Sequence, residues 1–150
     1  MTKMEKTEKP HITSRKDYRH FLSISTRWMD NDAYGHVNNV VYYSWFDTAV
    51  NQFLIEHDAL DIESSPVVGL VVETRCNYFS PVAFPDRMVI GIAVAKLGNS
   101  SVRYEVGVFR GDDEAAVAQG HFVHIYVSRE TRRPVTIPDA IRTVLQSIHV

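Results

Sequence analysis

One stretch, Asn38 to His57, NNVVYYSWFDTAVNQFLIEH, reads as a long amphipathic helix in a chain whose other long regular segments alternate like strands. Tyr42, Phe46, Ala49 and Phe53 mark one ridge, and Tyr43, Val50, Leu54 and His57 the flank beside it. These spacings of three and four are ones no strand produces. Asn is among the strongest N-cap residues, because its side-chain oxygen accepts from an otherwise unpaired first-turn amide. The helix is therefore expected to begin at Asn38 or Asn39. A helix of about 18 residues is roughly 27 Å long. One stripe of such a rod must be buried, so the rest of the chain has to supply an apolar surface of matching length.

The segments around it can do so. Tyr18 to Trp28 alternates with period two, as a half-buried strand does. After the helix, DALDIESSPVVG carries turn formers and Pro66 and reads as a surface connection. Leu70 to Phe79 is the next strand, with Leu70, Val72, Thr74, Cys76 and Tyr78 expected on one face and Glu73, Arg75 and Asn77 on the other. Arg87 to Leu97 is apolar on both faces, as a central strand covered on both sides would be. Gly98, Asn99 and Ser100 suit a tight hairpin, Ser101 to Arg110 is the returning strand, and Gly111 to Asp113 turns again. Ala115 to Ser128 is a long strand whose small residues, Ala116, Ala118 and Gly120, mark a place where something approaches closely. Pro138 and Asp139 suit the first turn of a short final helix carrying Ile141, Val144, Leu145 and Ile148. Four consecutive strands after one helix are not an alternating strand–helix pattern, so the class is α+β, an antiparallel sheet with the helix packed on one face.

Composition limits what such a chain can do. With 150 residues, 45% hydrophobic and 23% charged, it suits one domain with a sizeable core. Residues 1–14 are expected to form a flexible tail and residues 15–150 the single domain. A net charge of −2 supplies no global basic field, so neither nucleic acid nor an anionic membrane is an expected partner. Cys76 is the single cysteine, so no intrachain disulfide can form. The N-terminal run lacks the apolar core of a signal peptide, and no apolar stretch approaches the roughly 20 residues of a membrane span. A cytoplasmic protein is expected.

Chemistry concentrates just before the helix, where Asp30 and Asp32 precede Gly35 and the Asn pair. A carboxylate near a helix N-terminus often contributes stability alone. The wider context changes that reading. The run D-x-D-x-x-G-H-V-N-N ahead of an aromatic-rich helix, the later GLVVETRCNYFSPV with Asp86 beyond it, the GNSS hairpin and the Arg129–Pro134 segment resemble the hotdog-fold acyl-CoA thioesterases, in particular the 4-hydroxybenzoyl-CoA thioesterase-like branch. The likeness runs from about Phe21 to Ile141.

The resemblance implies a curled antiparallel sheet wrapped around one long central helix, an acyl-CoA substrate, no cofactor, and a homodimer or homotetramer with active sites at the subunit interface. By position, Asp32 matches the catalytic aspartate, nucleophile or general base on the thioester carbonyl. The helix-start amides of Asn39 and Val40 match the place that polarises the carbonyl oxygen, and Gly69 matches a glycine near the acyl site. His36 either orients Asp32, touches the acyl group, or only satisfies loop backbone. Asp30 reads as a structural partner of loop amides or Arg27, and Asp47, two turns into the helix, as a solvated or salt-bridged position. The 4-hydroxybenzoyl-CoA enzyme carries a basic cluster at its hairpin where this chain has Leu97 to Ser100. Arg129, Arg132 and Arg133 form a basic knot whose guanidinium groups suit the phosphates of coenzyme A, the alternative being an ordinary solvated loop.

No metal is expected, because His121 and His124 lie three residues apart on a strand and point to opposite faces. Cys76 reads as an inert core thiol. Three other functions fit the same fold: an acyl-carrier-protein thioesterase, a non-catalytic acyl-binding protein with no need of the Asp32 carboxylate, and a hydratase, whose familiar acid and histidine pattern this sequence lacks.

Overall fold

The long helix, α1 (Asn39–Glu56), starts where its cap predicts, with Asn38 Oδ1 accepting from the Val40 amide at 3.2 Å. The computed structural model describes residues 10–150. Around α1 run β1 (His20–Ser25), β2 (Val67–Tyr78), β3 (Arg87–Leu97), β4 (Ser101–Arg110) and β5 (Ala118–Ser128), followed by a short α2 (Asp139–Gln146). All pairings are antiparallel and the strand order is β1-β3-β4-β5-β2. The curled sheet carries α1 on one face, which is the hotdog arrangement that the motifs implied.

The buried stripe of α1 is Tyr42, Trp45, Phe46, Ala49, Val50, Phe53 and Leu54, packed in one cluster with Ile90 and Ile92 of β3 and Tyr104, Val106 and Val108 of β4. Tyr43 and His57, expected on the buried flank, are exposed, and Trp45 takes a place inside. The far end of this core is closed by Ile141, Leu145 and Ile148 of the α2 segment. β3 is apolar on both faces for a separate reason. On the outer side Tyr18, Ala93, Phe109 and Ala116 form a second small cluster, and the Tyr18 ring lies so close over Gly107 that a Cβ there would sit 2.4 Å from it.

Two expectations for the strands change. β2 does not keep one alternation, because its register against β5 shifts between Val71 and Glu73. Val71 faces His124 and Thr74 faces Phe122, so Gly69 and Val71 share the inner face with Thr74, Cys76 and Tyr78, while Leu70 lies with Glu73 on the outer face. An extra residue at Val72 reverses the phase, as a bulge does. β5 begins at Ala118 rather than Ala115, since Ala115 is occupied by an isolated bridge to Ser14. β5 is also flanked on both sides, by β4 and β2, so it offers no free edge; β2 does.

Of the expected tail, residues 1–9 lie outside the described residues. Thr13 is tied down: its amide and hydroxyl donate to Gln119 Oε1 at 2.7 and 2.8 Å, and its carbonyl accepts from Ala116 at 3.0 Å. Among the described residues no helix is long and apolar enough to cross a membrane.

Candidate active site

The acidic loop is built backbone first. Gly35 adopts φ +79°, a left-handed conformation costly for other residues, and this lets the chain fold back so that Asp32 N–H donates to the His36 carbonyl at 2.8 Å. Val37 N–H donates to Val82 O at 2.7 Å and Asn38 N–H to Asp30 O at 2.8 Å, which fastens the loop to the segment after β2 and sets the entry to α1.

Within this frame the two aspartates differ. Asp30 is 2% exposed and takes the Arg27 amide at 2.8 Å on one oxygen and Arg27 Nε and Nη2 at 3.0 and 2.8 Å on the other. It is consumed by structure, as expected. Asp32 is half-buried and uses one oxygen, Oδ1, to accept the Tyr34 amide at 2.8 Å and the His36 amide at 3.4 Å. Among the described residues its Oδ2 has no hydrogen-bond partner, so one carboxylate oxygen is oriented by the loop yet uncommitted.

Beside this loop a cleft of about 290 Å³ opens at the start of α1, lined by His36, Val37, Asn39, Tyr42, Tyr78, Phe79, Ser80 and Pro81. Of the two candidate amides only that of Asn39 belongs to a lining residue, and neither Val40 nor Asp32 lines the cleft. Asn38 already caps Val40 N–H at the long distance of 3.2 Å, whereas Asn39 N–H has no partner among the described residues. His36 contributes its backbone to the loop and its residue to the cleft wall. Tyr78, read in the sequence only as a strand residue on the Cys76 face, joins the cleft wall. Its Oη donates to Asn39 O at 3.0 Å and its ring meets Tyr42 edge-on at 4.9 Å. Nothing local announces that contact, which joins residues 39 apart in the chain.

Gly69 does not join this group within one chain. It lies nine positions before Tyr78 on β2, roughly 30 Å away along an extended strand. A Cβ at Gly69 would meet His124 Nδ1 at 3.3 Å, and burial lowers that imidazole to about 4, so His124 stays neutral against the core at neutral pH. Arg129 is also committed: Nε and Nη2 donate to the Ser65 and Ile62 carbonyls, each at 2.7 Å, closing the connection before β2. Arg132 and Arg133 are exposed, and no carboxylate pairs with either among the described residues.

His121 and His124 do face opposite ways, and no cluster of three metal-ligating side chains occurs among the described residues. On the outer face His121 sits between Arg103, whose Nη2 is 3.2 Å from Nδ1, and Glu73, whose Oε2 is 3.2 Å from Nε2. The second contact has the distance of an ion pair without the geometry of a hydrogen bond. The wider groove there, about 820 Å³, contains none of the loop or helix-start residues and is a poor place for the same chemistry. Cys76 is half-buried and burial pushes its thiol up to about 11, leaving no thiolate for attack. Asp47 is exposed and its carboxylate accepts from Asn51 Nδ2 at 2.9 Å.

A family described as the thioesterase-like superfamily matches residues 26–145. The crystal structure of the PA5185 protein from Pseudomonas aeruginosa strain PAO1 is 53% identical, with a TM-score of 0.90 over 93% of this chain and 97% of that one. A 1,4-dihydroxy-2-naphthoyl-CoA hydrolase of Prochlorococcus marinus is 23% identical over 138 residues, 86% of this chain and 90% of that protein. A chloroplastic acyl-acyl carrier protein thioesterase of Arabidopsis thaliana is 21% identical over 126 residues, 83% of this chain and 66% of that protein.

Proposed function

This chain belongs to the thioesterase-like superfamily, a family of thioester hydrolases, and on that premise we propose that it hydrolyses acyl-CoA to free acid and coenzyme A, with Asp32 as nucleophile or general base. The observation that carries the proposal is the half-committed carboxylate of Asp32, held by the Tyr34 and His36 amides while Oδ2 is left without a partner. Thioester hydrolysis needs a group to attack or to activate water, and donors where the oxyanion develops. Asp32 supplies the first. The amides of Asn39 and Val40 supply the second, Asn39 with the freer N–H and Val40 by exchanging its long bond to Asn38 for one to the oxyanion. A non-catalytic acyl-binding protein would have no use for an oriented, free carboxylate oxygen at this position.

The carrier is tested by a hydrolysis screen across acyl-CoA, acyl carrier protein thioesters and short thioesters lacking the nucleotide. The Arg132→Ala/Arg133→Ala variant is screened beside the parent protein. With CoA as carrier and these guanidinium groups on its phosphates, the variant raises KM for acyl-CoA and leaves the short thioester unaffected. Equal effects on both would make these arginines structural, and preference for the protein-borne thioester would favour the acyl-carrier reading, which the Arabidopsis relative's name also supports.

A second copy completes the site in this proposal. β2 pairs on one side only, and along it Leu70, Val71, Val72 and Tyr78 are exposed, which is an edge that wants cover. Antiparallel pairing of two β2 edges would bring the Gly69 end of one copy to the Tyr78 end of the other, giving Gly69 the access to the helix start that it lacks within one chain. Sedimentation at micromolar concentration is expected to show a dimer or a dimer of dimers. A fully active monomer would eliminate the shared site.

A further inference from the structure

Resting on the proposed thioester hydrolysis, we infer that Tyr78 is a positioning residue that strengthens and orients the oxyanion donors at the start of α1. The carbonyl of Asn39 and the N–H of Val40 belong to one peptide unit. Tyr78 Oη donates to that carbonyl at 3.0 Å. A hydrogen bond received at the oxygen of an amide polarises the unit and makes its N–H a stronger donor, an effect of roughly 10–30% per bond in a chain of bonds. Because the donor comes from β2, the bond also anchors the first helical turn to the sheet, where fraying would otherwise be greatest.

Two further observations favour a role beyond packing. Tyr78 lines the same cleft as His36 and Asn39, and its ring stands edge-on against Tyr42, which is 3% exposed and does not move readily. The phenol is therefore held by its ring from one side and by its hydroxyl from the other. Burial, with Cys76 nearby, holds the phenol above its ordinary value, so Tyr78 is a donor throughout the neutral range.

The test is Tyr78→Phe, which keeps the ring and removes only the hydroxyl. Expected are a fall in kcat of roughly 5- to 30-fold, below the 100- to 1,000-fold that follows loss of an oxyanion donor itself, with KM within about a factor of two. The readout that separates positioning from support is isotope-edited infrared of a thioester carbonyl bound in an Asp32→Asn background, where turnover is blocked. In that background the bound carbonyl band is shifted by the helix amides, and adding Tyr78→Phe is expected to move it back towards the free value. Tyr78→3-fluorotyrosine, a more acidic phenol and stronger donor, is expected to move the band further away and to retain activity, which checks the inference should the Phe variant fold poorly. An unchanged band, or kcat within about twofold in Tyr78→Phe, overturns the positioning role while leaving the hydrolase reading intact. Absence of thioester hydrolysis in the parent protein overturns both.

Discussion

Asp32→Asn is expected to lose on the order of 100- to 10,000-fold in kcat for thioester hydrolysis, roughly 3 to 5 kcal/mol in barrier, while melting almost unchanged. The reason lies in how the two carboxylate oxygens are divided. Asn retains an Oδ1 that can accept from the Tyr34 and His36 amides, so the loop closes as before. What disappears is the charge and the uncommitted oxygen. A carboxylate that merely offset the helix charge would be worth only about 0.3 to 1 kcal/mol of stability and little rate, so the two magnitudes do not overlap. Retention of more than about a third of the parent kcat would show that Asp32 is neither base nor nucleophile. Asp30→Asn is the internal control and should behave in the opposite way. Its carboxylate is buried and takes three hydrogen bonds from Arg27, so the loss falls on stability, about 1 to 3 kcal/mol, before it reaches the chemistry of Asp32.

Gly120→Ala is expected to be the most damaging small substitution outside the site. A Cβ at Gly120 would stand 1.7 Å from the Arg75 carbonyl oxygen, 2.7 Å from its carbon and 3.0 Å from Cys76 Cα. All three are backbone atoms of β2, so no side chain can rotate to make room; β2 itself must lift from β5. Ordinary overpacking costs about 1 to 3 kcal/mol, and a clash that breaks strand pairing should exceed it. At this chain length a loss of that size corresponds to roughly 10 °C in melting temperature. Differential scanning calorimetry would refute the account if Gly120→Ala melted within about 2 °C of the parent. Activity should fall with stability, because the displaced strand carries Tyr78 and the free edge on which assembly depends.

Much of this protein is local and therefore readable from its residues. The Asn38 cap, the start of α1, the β3 and β4 strands and the Gly98–Ser100 hairpin each depend on neighbours a few positions away, and each appears where the spacing placed it. The D-x-D-x-x-G run is likewise local, because the Gly35 turn and the Asp32 acceptor are formed within five residues. Even the close approach at Gly120 was signalled by its small neighbours, although not what would approach. The remainder required partners far along the chain. The reversal of β2 at Val72 is decided by pairing with β5, about fifty residues later, and it moves Val71 to the inner face and Leu70 to the outer one against the simple alternation. Arg129, a candidate phosphate ligand by composition, is spent on carbonyls 64 and 67 positions earlier. Gly69 lies at the opposite end of β2 from Tyr78, the residue that touches the helix start. Tyr78 reads in the sequence as one more strand residue, and only the packing of the sheet on α1 brings its hydroxyl to the Asn39 carbonyl. Periodicity and caps are set by short-range sterics and hydrogen bonding, which residue order encodes directly. Which groups remain free for chemistry is set by long-range competition for the same donors and acceptors, and that is resolved only when the chain closes on itself.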